Sequence, residues 1–93
     1  MKLTVVGCSG SYPGPDSAAS SYLVEADGVQ IVLDMGNGAL GQLQRYTTLD
    51  RPAAVVLSHL HADHVIDLTS YYVVRRYHPD GQMPTLPVYG PHG

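Results

Sequence analysis

Ser58-His59-Leu60-His61-Ala62-Asp63-His64 is the stretch on which the reading of this chain turns. It sets four metal-binding side chains, His59, His61, Asp63 and His64, within six residues. Imidazole suits zinc and other first-row metals, and a carboxylate widens the choice towards manganese and iron. Directly upstream runs Ala53-Ala54-Val55-Val56-Leu57, a short apolar run that predicts a buried strand. A strand ending at Leu57 delivers His59 and His61 from the loop at its tip. Residues two apart in an extended segment point the same way, so both imidazoles can meet one ion. Asp63 and His64 fall where the chain turns into a helix, offset enough to reach a second ion. Two metals about 3.5–4 Å apart form a hydrolytic device that clamps a bridging hydroxide and a substrate oxygen. Surface decoration is a poor alternative. Packing does not need these side chains, and burying them unpaired is costly.

The composition sets bounds. Ninety-three residues allow at most one small domain, with a modest buried fraction. Nothing in the residue usage points to disorder. Five Lys and Arg against eight Asp and Glu give a net charge of −3, and Arg75-Arg76 is the one basic pair. Electrostatics alone therefore do not suggest a nucleic-acid binder. The single cysteine, Cys8, excludes an intrachain disulfide and points to a reducing, cytoplasmic setting. No apolar run is long enough to span a membrane. Val5-Val6-Gly7-Cys8 has the look of a lipoprotein processing site, but the apolar stretch before it is too short for one. A small buried hydrophobe is preferred for Cys8 over a catalytic thiol.

Lys2 to Val6 reads as a first strand, followed by a turn-rich loop from Gly7 to Asp16. The glycines of that loop match neither the dinucleotide fingerprint nor the P-loop, so it reads as a connection rather than a phosphate cradle. Ser21 to Ala26 and Val29 to Asp34 are the next strands, with Asp27-Gly28 as a two-residue hairpin signal between them. Asp34 at a strand end can serve simply as a cap for the next turn or helix. Ala39 to Tyr46 predicts a short helix, and Val65 to Tyr77 a longer one with Val65, Leu68 and Tyr72 on one face. Tyr71 and Tyr72 read as packing residues. Leu86 to Gly90 looks like the opening of another strand. His78 and His92 read as solvated loop histidines.

His59-Leu60-His61-Ala62-Asp63-His64 resembles the HxHxDH motif of the metallo-β-lactamase fold hydrolases, and Ser58 is similar to that family's usual start. The Gly- and Ser-rich first loop, with the small residues Ser17 to Ser21 after it, resembles the ribonuclease Z and phosphodiesterase branch more than the true β-lactamases. The fold so implied is α/β (α+β): the N-terminal part of an αββα sandwich, a mixed sheet with helices on one face. The resemblance also implies a role for Asp34 in Leu33-Asp34-Met35-Gly36, beside the metal site, bracing the loop by hydrogen bonds. The implied activity is hydrolysis, with two zinc ions, or manganese or iron, held by His59 and His61 and by Asp63 and His64. A bridging hydroxide would be the nucleophile. Asp63 would also orient that water or take a proton in phosphodiester members.

The same resemblance leaves the ligand set short. The family completes its two sites with a His, a bridging Asp and a last His from further along, and no residue here matches them. Asp67, one turn beyond Asp63, is too local to be the distant bridge. Residues 1–93 therefore read as the N-terminal portion of a single domain, with no activity expected of these residues alone. The third and fourth strands should expose apolar faces, so a homo-oligomer is a second expectation. A small-molecule or nucleotide phosphodiester is the expected substrate, and RNA as a partner rests on analogy alone. Two other classes stay open: a non-catalytic metal-binding or interaction fragment, and a lactone or thioester hydrolase.

Overall fold

The computed structural model describes residues 1–9, 12–15, 17–58, 62–76 and 86–91, and of 62–65 the backbone only. Its elements, in chain order, are β1 (Lys2–Gly7), β2 (Ser21–Ala26), β3 (Val29–Leu33), α1 (Ala39–Leu43), β4 (Ala54–Val56), α2 (Ala62–Arg76) and β5 (Val88–Tyr89). Among the described residues the strands form one mixed sheet in the order β1-β2-β3-β4-β5. The first three are antiparallel neighbours, whereas β3–β4 and β4–β5 pair in parallel.

Local chemistry accounts for the joints. Asp27 and Gly28 both take positive φ, 51° and 80°. That is the turn whose twist matches a two-residue hairpin, and it sets the Ala26–Val29 register. At the end of β1 the register shifts between Val5 and Gly7. A Cβ on Gly7 would lie 2.3 Å from the Ala19 carbonyl oxygen, so only glycine lets residues 18 and 19 approach.

The core lies on one side of the sheet. Leu23, Val32 and Val55 are fully buried there with Val6, Met35, Leu43 of α1 and Tyr71 of α2. Strand alternation turns the other face outward. It carries exposed Leu3, Val5, Val29 and Tyr89, and half-buried Tyr22, Val24, Ile31, Leu33 and Val56. The mixed sheet with helices on one face is the architecture that the resemblance implies.

Several boundaries move, each for a visible reason. β3 stops at Leu33 because Asp34 takes a left-handed φ of 62°. α1 stops at Leu43, since Arg45 and Tyr46 donate to Gln42 and Leu43 in tighter i→i+3 turns. α2 begins at Ala62, ahead of the expected Val65. β4 is shorter than its apolar run, but the Ala53 and Leu57 amides still donate to Gln30 and Tyr89 of the neighbouring strands. Two side chains differ from expectation. Cys8 is exposed rather than buried, because it follows the strand into the loop. Tyr72 is 60 % exposed while Tyr71 is fully buried, so the inward stripe of α2 passes through Leu68 and Tyr71.

Candidate metal centre

The parallel β3–β4 pair positions the start of the motif. Leu33 pairs with Val56, and the Asp34 amide extends the ladder by donating to the Val56 carbonyl at 2.8 Å. The left-handed turn at Asp34 then brings its side chain to the tip of β4. One carboxylate oxygen accepts the Ser58 amide at 2.7 Å and the other accepts the Ser58 hydroxyl at 2.7 Å. Asp34 is only 6 % exposed, so these charge-assisted bonds compensate its loss of water. It is not a cap for the following helix.

The expected ligands His59 and His61 lie outside the described residues, as do His78 and His92. Asp63 and His64 fall in the first turn of α2, with their side chains outside the described residues. Among the described residues no three His, Cys, Asp or Glu side chains converge. Three imidazoles and a carboxylate, entered from a residue held by a buried carboxylate, suit a divalent first-row metal.

The first loop borders this region. Ala19 donates to the Asn37 carbonyl and Gly36 to the Ser20 carbonyl, so residues 19 and 20 lie along the segment that follows Asp34. The loop is hydrogen-bonded to itself: the Ser9 hydroxyl donates to the Ser17 hydroxyl at 2.7 Å and accepts the Gly14 amide at 3.3 Å. Pro13, Gly14, Ser17, Ala18, Gly38 and Gln42 line an open groove of about 240 Å³. The Ser21 hydroxyl, fully buried at the start of β2, has no hydrogen-bond partner among the described residues.

Sequence reasoning missed two tethers of α2. The Asp67 carboxylate accepts the Leu40 amide at 2.8 Å, and the Asp67 amide donates to the Met35 carbonyl at 3.0 Å. Further along, the buried Tyr71 hydroxyl and the Arg75 guanidinium both donate to the Leu49 carbonyl, with Arg75 stacked 5.5 Å from the Tyr71 ring centre. Burial pushes the Tyr71 phenol above its ordinary range, opposed by its bond to Arg75. No local signal marked either tether, since Leu40, Met35 and Leu49 all lie 22 residues or more from their partners on α2.

The family profile described as Anti-Pycsar protein Apyc1 matches residues 1–91. The chain belongs to this family. An uncharacterized relative of the Apyc1 family chain, Rv1339 of Mycobacterium tuberculosis, is 50 % identical over 98 % of the chain and 33 % of its own length. The probable metallo-hydrolase YhfI of Bacillus subtilis is 36 % identical over 97 % of the chain and 38 % of its own. The crystal structure of YhfI, a metallo-β-lactamase fold protein, superposes with a TM-score of 0.85 over 95 % of the chain and 35 % of YhfI. That of human tRNase Z, short form, gives 0.84 at 28 % identity, over all of the chain and 36 % of the enzyme. The Apyc1 family chain thus has the metallo-β-lactamase fold implied by its motif, and it spans about a third of the length of these relatives. No helix among the described residues is long and apolar enough to cross a membrane.

Proposed function

We propose that the chain supplies part of the centre of a metal-dependent, di-zinc hydrolase acting on phosphodiesters. The observation that carries the reading is the pair of hydrogen bonds that Ser58, the first residue of the motif, donates to the buried Asp34 carboxylate. A carboxylate buried at a strand tip serves no packing purpose. It does hold Ser58, from which the motif departs, in one place, and a ligand set needs such a fixed start.

His59 and His61 would hold one ion, and Asp63 and His64 a second. Bound there, divalent metals would lower the pKa of water and neutralise charge on a phosphoryl oxygen. Asp63 would in addition accept a proton during the reaction. Asp34 would act through Ser58 by keeping the motif loop in one orientation. A phosphodiester, in a small molecule, a nucleotide or RNA, is favoured over a lactone or thioester by the likeness to human tRNase Z. Residues 1–93 would form the N-terminal portion of the domain and bind metal without turnover, since the chain spans about a third of its relatives. The lone Cys8 favours a cytoplasmic setting.

The test is a zinc titration of the chain beside a His59→Ala/His61→Ala variant. Turnover of bis(p-nitrophenyl) phosphate and of a thioester would be followed in a protein of the relatives' length, with and without Asp63→Ala. Zinc binding lost in the double variant, and phosphodiester turnover abolished by Asp63→Ala, are expected. No zinc binding, in the chain or in that longer protein, would sink the metal reading, and turnover of the thioester alone would sink the phosphodiester.

A further inference from the structure

Helix α2 carries Asp63 and His64 in its first turn, and Asp67 stands one turn further on. Residues four apart on a helix share a face, so Asp67 lies on the side of Asp63. Both of its tethers reach one segment: its carboxylate to Leu40 and its amide to Met35. That segment begins beside Asp34, which holds Ser58. The motif is therefore fastened at both ends to residues 34–40, before it through Asp34 and after it through Asp67. Only residues 59–66 bridge the two fastenings.

The tether has a local cause. The amides of a helix's first turn lack intrahelical acceptors. Gly38, at the N-cap of α1, has no side chain to serve them and takes a φ of 87°. The Leu40 amide finds its acceptor on Asp67 of the other helix instead. Capping from α2 couples the placement of the two helices, which a cap within α1 would not do.

We propose that Asp67 is a positioning residue for the metal motif, holding the start of α2, which carries Asp63 and His64, against residues 34–40. The inference rests on the metal reading above and adds to it a residue outside the ligand set. Groups that orient ligands typically change metal affinity by about 10- to 100-fold when removed.

The experiment compares the chain with Asp67→Ala, Asp67→Asn and Tyr71→Phe. It measures zinc affinity by chelator competition and the visible spectrum of the cobalt-loaded protein, at a temperature where near-ultraviolet dichroism shows each variant folded. Asp67→Ala should weaken zinc binding about 10-fold and shift the cobalt bands. Asp67→Asn keeps an acceptor for Leu40 and should recover most of both. Tyr71→Phe removes a different tether of α2, and should lower the thermal midpoint while leaving affinity and spectrum unchanged. If Asp67→Ala does not fold, Asp67→Glu, which keeps the charge but displaces it by one methylene, must still shift the cobalt bands. A wild-type affinity and spectrum in the alanine variant would overturn the proposal, as would equal metal defects in Asp67→Ala and Tyr71→Phe. Should the wild-type chain alone not bind metal, the same variants are read in a protein of the relatives' length; failure of that protein to bind zinc or cobalt would overturn the metal reading, and this inference with it.

Discussion

Asp34 and Ser58, 24 residues apart in sequence, are joined by two hydrogen bonds of 2.7 Å, one to each carboxylate oxygen. The pair ties the end of β3 to the tip of β4, where the metal motif begins. Asp34→Ala should cost roughly 2–4 kcal/mol, because it leaves the Ser58 amide without this acceptor and places alanine at positive φ. Asp34→Asn should cost about 1 kcal/mol, since asparagine tolerates that φ and its amide can meet both Ser58 groups. Urea unfolding of the two variants checks the order. Equal losses would mean that the carboxylate does not act through Ser58.

Much of this arrangement was legible before the fold was known. The hairpin at Asp27-Gly28, the apolar run into β4 and the motif after it are local signals, and each depends on residues within a few positions. Asp34 became readable through the family resemblance, and among its partners is Ser58, which no local pattern names. Asp67 was not readable, because its partners, Leu40 and Met35, are far away in sequence. Tyr71 and Tyr72 both read as packing residues, but neighbours on a helix point to different sides, so only Tyr71 is buried and Tyr72 is exposed. Cys8 was placed by residue tendency, which does not register that the chain has already left the strand.

Two glycines should respond in opposite directions. Gly7→Ala sets a methyl group 2.3 Å from the Ala19 carbonyl oxygen and 2.6 Å from that of Ala18, both main-chain atoms that cannot yield cheaply. A loss of about 1–3 kcal/mol is expected. Gly41 lies within α1, and a methyl group there would meet nothing within 4 Å. Gly41→Ala should therefore gain up to about 1 kcal/mol from helix propensity. Denaturant midpoints of the pair measure both; a gain at Gly7 would mean that residues 18 and 19 do not pack against the strand end.

Zinc should stabilise the chain if the motif binds it. Binding to the folded state alone adds about 2.7 kcal/mol when free metal stands at 100 times its dissociation constant. The thermal midpoint should rise with zinc, and the rise should vanish in His59→Ala/His61→Ala and on adding a chelator. The same rise in the double variant would place the metal elsewhere.

Tyr71 predicts the alkaline limit of the fold. Its phenol is raised above the ordinary value, first by burial, so the folded state holds this proton more tightly than the unfolded chain does. Stability from this group is fully present below the unfolded value, near pH 10, and is lost as pH rises through the higher folded value. Tyr71→Phe removes that titration together with the hydroxyl's bond to the Leu49 carbonyl. The variant should be less stable at neutral pH by about 1 kcal/mol and should lose stability less steeply above pH 10. Parallel stability curves for the two proteins across that range would show that the buried phenol does not titrate with unfolding.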